Sequence, residues 1–327
     1  MTDAALNAAP RPLRARRADL WRPLALFALL LVLPLIFGTQ ADYALSLMER
    51  VMIFAIAALG LDLIVGFGGL VSFGQAAFIG LGAYAAGILA FHGFGDTLIA
   101  LPAALALSAL FAAATGVICL RTKGVYFLMI TLAFGQMAFF IASSLAPYGG
   151  DDGLTLRARS TLFGFAPLAD ERVFYYVSFA GLLGIYLLCR ALIGSRFGRV
   201  LRGAKENPTR MAALGYEVFR YQLVAYVIAG AIGGLAGFLL ANATNFVSPA
   251  YMSWQRSGEL IVMVMLGGIG TLDGAIIGAA AYILLSEYLS QLTEHWAMIF
   301  GPFLVLVVLF ARGGLLGVAA RLRGRAR

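Results

Sequence analysis

The sequence predicts an all-α, polytopic membrane bundle of about 8–10 transmembrane segments, and three observations carry that prediction. Of 327 residues, 61% are hydrophobic and 12% charged, with a mean hydropathy of +0.90, whereas a soluble domain carries about 25% charged residues. Apolar runs recur at lengths that cross a hydrocarbon core of about 30 Å, which takes roughly 20 helical residues. No run alternates as the strands of a transmembrane barrel do, and the 39 glycines are spread through the apolar segments, where small residues let helices approach closely.

The expected crossings are 23–38, 50–66, 75–92, 97–120, 125–146, 173–194, 221–243, 258–271, 275–290 and 296–311. The first follows a basic tail, and its stretch LALFALLLVLPLIF has the layout of a signal peptide; Arg16-Arg17 resembles a twin-arginine signal. No small-x-small cleavage site follows, so the segment is expected to stay as an uncleaved anchor. The fourth ends at Arg121 and Lys123, and the fifth before the turn-rich, acidic connection 147–172, which suits either a solvated loop or the docking of an external partner. The eighth and ninth are interrupted by Gly267, Gly268, Gly270 and Gly274, as two short spans or one broken helical hairpin. Cys119 and Cys189 lack metal-type spacing and are expected to be buried small hydrophobes.

Assigning alternate loops to opposite faces gathers 19 of the 24 Lys and Arg on one face and leaves Arg50, Arg157, Arg159, Arg172 and Arg256 on the other. The positive-inside rule makes the first face cytoplasmic, with both chain ends there. The expected organisation is a basic tail (1–22), a transmembrane domain (23–311) with a cytoplasmic loop (195–220), and a second basic tail (312–327). The net charge of +8 therefore records topology, not nucleic-acid binding.

Within that loop, "RVLRGAKENPTRMAALG" (199–215) is crowded with charge. Asn207 and Pro208 form a helix-start signal, because Asn caps with its side chain and Pro fits the first helical position. Gly215 supplies a stop. A helix of about two turns lies between them, with Met211 and Leu214 on an apolar edge. Arg199, Arg202 and Lys205 recur on one side of the preceding helical stretch. A topogenic loop would need neither cap nor helical design, so the segment reads as a protruding docking knob.

Two stretches, "GGLVSFGQAAFIGLGAY" (68–84) and "GGIGTLDGAIIGAAAY" (267–282), resemble one another as a weak internal repeat. Paired glycine-interrupted segments point to a translocation path, since irregular backbone at membrane depth is tolerated only inside protein or along a cavity. The candidate path residues are Gly69, Ser72, Gly74, Gln75, Gly268, Gly270 and Thr271, with freed N–H groups available to a carboxylate. The alternative is that these glycines serve close helix packing. Asp62 lies inside an apolar segment, where an ionised carboxylate costs on the order of 2.5–3.5 kcal/mol; it joins the candidates and is expected to face the interior or lie near the cytoplasmic end.

The segment "GRVLRGAKENPTRMAALGYEVFRYQLVAYVIAGAIGGLAGFL" resembles the coupling loop and following helix of the LivM-type permeases of branched-chain amino acid ABC importers. "GLDLIVGFGGLVSFGQAAFIGLGAYAAGIL" (60–89), "SGELIVMVMLGGIGTLDGAIIGAAAYILLSE" (257–287) and, more weakly, "RTKGVYFLMITLAFGQ" (121–136) are similar to the same family in the same order. The resemblance implies that the loop inserts into a cytosolic ATPase, with Glu206, Asn207 and Gly215 as contact or shaping positions. It implies an inner-membrane importer subunit with a second homologous permease, two ABC ATPases and a periplasmic binding protein as partners. The family often carries Asn at the position of Asp62 and His at that of Gln75, so a polar group is implied there and proton coupling is not. Glu259 also matches the family motif, although a carboxylate at a helix start is ordinary dipole complementarity.

The chain has no P-loop, since Lys123 and Lys205 do not follow glycine, and "GIGTLDG" lacks both the third glycine and the βαβ setting of a dinucleotide site. His92 and His295 cannot form a zinc triad, and no hydrolase motif is present. A non-enzymatic permease without a cofactor of its own is expected, with ATP bound by its partners. The alternatives are a urea or amide permease of the same group, an ion-coupled secondary transporter using Asp62 and Glu259, or a structural membrane subunit.

Overall fold

The computed structural model describes residues 21–37, 42–156, 158–161, 168, 170–293, 295, 298, 300–302 and 314–317. Its helices are α1 (Trp21–Phe37), α2 (Asp42–Asp62), α3 (Gln75–Phe91), α4 (Thr97–Cys119), α5 (Val125–Ser143), α6 (Glu171–Gly194), α7 (Arg196–Glu206), α8 (Pro208–Ala213), α9 (Val218–Thr244), α10 (Trp254–Gly267) and α11 (Leu272–Leu292). The stretches Tyr43–Phe67, Thr97–Cys119, Val125–Ser143, Glu171–Gly194, Val218–Thr244 and Leu272–Leu292 are long and apolar enough to cross a membrane. The fold is a multi-pass helical bundle.

Nine expected crossings coincide with helices. The tenth, 296–311, and the two basic tails fall largely outside the described residues. α2 begins eight residues before its expected start, and Glu287 of α11 lies beside its first turns: Tyr43 Oη donates to Glu287, and Arg50 lies 3.9 Å from the same carboxylate. α10 starts where Ser253 Oγ accepts from the Arg256 amide at 3.4 Å, and stops at Gly268, whose φ of 120° side chains other than glycine rarely adopt.

α2 is the axis of the bundle. Met52 and Ala55 through Leu59 are wholly buried, and α2 packs on α6, α9, α10 and α11. α9 packs on α3 and α4 through small residues. A Cβ on Gly237 would overlap the carbonyl oxygen of Ile79, and one on Gly82 would overlap that of Gly234. α10 and α11 form the broken hairpin left open by the sequence, its arms meeting at Gly267 against Gly274 and at Gly278 against the Met263 carbonyl. With no hydrophobic drive between helices in lipid, such backbone approach supplies the dispersion contacts that hold them together.

α7 and α8 project at one end, the knob end. At the far end, β1 (Leu154–Thr155) pairs antiparallel with β2 (Phe246–Val247), tying the connection 147–172 to the end of α9. Arg159 pins it further: Nε donates to Asn242 O (3.1 Å), Nη1 to Leu168 O (3.2 Å), and the guanidinium stacks 4.7 Å from the Phe174 ring centroid.

Gly237→Val should therefore lower thermal stability in detergent by about 1–3 kcal/mol, the usual cost of overpacking. Gly184→Val, which meets nothing within 4 Å, should leave the midpoint near that of the parent. Equal midpoints in a thermal-shift assay would contradict this packing.

Candidate functional site

The knob is built by local chemistry. Ser195 Oγ accepts from the Phe197 amide (3.1 Å) to start α7, and Asn207 Oδ1 accepts from the Arg210 amide (2.9 Å) to start α8, with Pro208 at its first position. At the other end the Tyr216 amide reaches Met211 O (3.2 Å) and the Gly215 amide reaches Ala212 O (2.9 Å). This paired stop needs the left-handed φ of 85° at Gly215. Val200, Leu201 and Ala204 are buried beneath α7, and Met211 packs on Gly203, where a Cβ would lie 2.6 Å from its sulfur. Glu206, Asn207 and Gly215 are exposed, and Leu214 is 64% exposed.

Beneath the knob, α2 breaks. Leu63–Phe67 form a π-helical turn, after which the Leu70 amide reaches back to Ile64 O (3.0 Å). A turn of this kind strains the ladder and marks functional positions in other helices. The break leaves Gly66 O to a side chain, and Lys205 Nζ of α7 donates to it at 2.7 Å. The stem of Lys205 lies over Gly69, where a Cβ would come 2.8 Å from its Cγ. Gly69 also holds a φ of 70°, so two demands converge on glycine there.

Asp62 sits one turn before the break and is fully buried. Its Oδ1 accepts from the Gly270 amide at 2.8 Å, and its Oδ2 has no hydrogen-bond partner. Such a carboxylate is held in place by its one charge-assisted bond. The carboxylate thus links the break in α2 to the turn of the α10–α11 hairpin, where Thr271 Oγ1 closes on Gly268 O (2.6 Å) and Asp273 accepts from Tyr186 Oη (2.7 Å). Gly66 is the point of closest approach: a Cβ there would collide with Asp62 Oδ1 and lie 2.5 Å from the Gly270 amide nitrogen.

The candidate path residues fall into two groups. Asp62, Gly268, Gly270 and Thr271 meet at the break, with Gly69 beside them under Lys205. Ser72, Gly74 and Gln75 gather instead at the start of α3. There the Gly74 amide donates to Ser72 Oγ (3.1 Å), the Phe73 amide to Thr131 Oγ1 (3.1 Å) and the Ala76 amide to Ser257 Oγ (3.1 Å). These hydroxyls occupy freed N–H groups that the sequence offered to a substrate carboxylate. Gln75 Nε2 donates to Ala229 O at 3.2 Å, its Oε1 buried without a partner. Glu259 is paired with Arg256 at 2.8 Å.

Sequence reasoning placed Lys205 in a basic row on one helix side without a partner, and passed over Gly66. One signal was available: Lys205 is one of only two lysines among 24 basic residues, and a compact ammonium suits a single carbonyl where a guanidinium fork does not. Arg202, of the same row, likewise showed no partner in the sequence, yet its Nη2 donates to Ile193 O (3.0 Å) and its Nε to Gly198 O (3.2 Å) at the α6–α7 corner.

Asp62→Leu removes the acceptor of the Gly270 amide. Hydrogen–deuterium exchange of peptides spanning 266–272 should quicken about 10- to 100-fold, since a hydrogen bond to a charged group contributes about 1.5–3 kcal/mol. Asp62→Asn keeps an oxygen there and should stay close to the parent rate. Unchanged exchange in Asp62→Leu would show that other contacts hold the turn.

Residues 43–310 match the family described as the permease component of branched-chain amino acid transport systems. The high-affinity branched-chain amino acid transport system permease protein LivM of Escherichia coli K12 is 29% identical over 293 residues, covering 81% of this chain and 68% of the relative. LivM of Salmonella typhimurium is 28% identical over 289 residues with the same coverage. LivH of Salmonella typhimurium, a permease protein of the same transport system, is 31% identical over 151 residues, covering 45% of this chain and 47% of the relative. No solved structure gives a match. With its matched region reaching from the start of α2 beyond α11, this chain belongs to the family of permease components of branched-chain amino acid transport systems.

Proposed function

We propose that this chain is one permease subunit of an ATP-driven importer of branched-chain and related hydrophobic amino acids, paired with a second, homologous permease. Of two cytosolic ABC ATPases one seats against the knob, and a periplasmic binding protein delivers substrate at the far end. The knob end faces the cytosol of a bacterial inner membrane, in keeping with the basic loops gathered there. ATP is bound by the partners, and this chain performs no chemistry.

The observation that carries the reading is the contact of Lys205 with Gly66 O. A knob that merely fixed topology would have no reason to bond a side chain to the backbone of a broken membrane helix. α7 instead grips the break in α2, and Asp62 relays the position of that break to the α10–α11 turn. A cleft of about 530 Å³, lined by Gly69, Lys123, Lys205, Pro208, Ala212 and Phe219 among others, separates α8 from the α4–α5 turn. It leaves α8 room to shift when ATPase subunits close. Their differential affinity for nucleotide in the two arrangements would supply the drive. Exposed Leu214, with Glu206 and Asn207 at the helix junction, gives an ATPase groove an apolar anchor with a polar rim.

The reconstituted complex tests this. Leu214→Ser combined with Gly215→Val removes the anchor and strains the stop. ATP-dependent leucine uptake should fall at least about tenfold, the scale of losing an interface anchor, while membrane insertion and pairing with the second permease persist. Uptake and ATPase retention equal to the parent would contradict the proposal, and urea uptake in place of leucine would redirect the substrate.

A further inference from the structure

At the far end α10 is too short to reach the rim. It has 14 residues, about 21 Å of helix, and its Arg256 guanidinium lies 6.0 Å from the Phe54 ring centroid. α2 extends from Phe54 back to Asp42, about 18 Å further out. The space above α10 is a cavity of about 400 Å³ within this single chain, of the size that holds small molecules. A second cavity of about 290 Å³ adjoins it through Arg50, Phe54, Arg256 and Glu287.

The lining has two characters. Phe54, Ile79, Leu240 and Leu260 form an apolar wall, and Glu49, Arg50, Arg256 and Glu287 face the same space. The charges are incompletely matched. Arg256 is paired with Glu259 at 2.8 Å. Arg50, its side chain half exposed, lies only at 3.9 Å from Glu287, which already accepts from Tyr43 Oη. Glu49 is 2% exposed, and its Oε1 has no hydrogen-bond partner. Arg159 and Glu171 act on Glu49 with opposite signs, and Arg159 has donated Nε and Nη1 to backbone carbonyls. A buried, unpartnered carboxylate is costly and calls for a cation. Here it stands next in sequence to an under-paired guanidinium and opposite an apolar wall.

We propose that this cavity binds an α-amino acid zwitterion with an apolar side chain: its ammonium at Glu49, its carboxylate at Arg50, and its side chain against Phe54, Ile79, Leu240 and Leu260. Both polar contacts are charge-assisted, the strong class of hydrogen bond. The proposal rests on the import reading and adds to it a binding step on the permease itself, between release from a binding protein and passage toward the break in α2. Glu49 and Asp62 stand on one helix about 20 Å apart, so an occupied cavity and the break are ends of one rigid element.

The test is scintillation-proximity binding of tritiated leucine to the purified permease–ATPase complex in nanodiscs, without binding protein or nucleotide. Saturable binding is expected, with 4-methylpentanoate and isopentylamine, each lacking one charged group, competing at least about tenfold more weakly than leucine. Glu49→Gln and Arg50→Gln should each weaken leucine binding about tenfold or more. Ala243→Phe, which fills the cavity without touching a charge, should abolish it while the complex still assembles. The proposal is overturned if leucine binds equally well to Glu49→Gln and Ala243→Phe. It is overturned too if the parent complex shows no saturable binding yet imports leucine when its binding protein is added, in which case import stands and the cavity does not. Saturable binding by a complex that imports no branched-chain amino acid would sink the import reading and uphold the cavity.

Discussion

A buried carboxylate with a single hydrogen-bond partner sets the terms for the rest of this structure. Asp62 cannot hold its charge in an apolar bundle without compensation, and its donor is the amide of Gly270, 208 residues away in sequence. That bond requires α2 and the α10–α11 turn to come within backbone contact: only glycine at 66 leaves the room, and the φ of 78° at Gly270 favours glycine there. Directly after Asp62 the α-helical ladder gives way to the π-turn Leu63–Phe67. Once α2 ends, Gly66 O needs a donor in place of the lost helical amide, and Lys205 supplies it from the knob.

This chain of requirements explains why so apolar a protein keeps a charged, helical projection. α7 is amphipathic because its buried side, Val200, Leu201 and Ala204, seats on the bundle, and its Lys205 ammonium ties it to the break through Gly66 O. α8 follows at a fixed angle set by Asn207 and Pro208. Movement imposed on α8 would reach α2 through one side chain and the hairpin through one carboxylate. At the other end of α2 lie Glu49 and Arg50, so the same helix joins the far-end cavity to the knob.

Much of this was legible in the sequence where the physics is local. Asn207, Pro208 and Gly215 announce α8 because capping is satisfied within a few residues, and the structure places each in its expected role. The helices follow from apolar length alone. The early start of α2 was not legible, because Tyr43, Glu49 and Arg50 look like a polar loop until Glu287 is brought beside them. The glycine stretches were recognised as special, but their division was hidden: Thr131 and Ser257 supply the hydroxyls that fill the amides before α3, and nothing in residues 68–75 forecasts them. The partner of Lys205 was hidden for the same reason, lying 139 residues away.

The account makes α7, the break in α2 and the hairpin turn one mechanical unit, moving relative to the α4–α5 turn across the cleft. Pulsed electron–electron distance measurements on the complete transporter test this most directly, with spin labels at Arg199 and Ile269 in one sample and at Lys123 and Ile269 in another, Cys119 and Cys189 being replaced. When the partner ATPases bind ATP, the distance between 199 and 269 should hold while that between 123 and 269 changes. A 199–269 distance that shifts as much as the other would contradict the claim that Lys205 and Asp62 carry the motion.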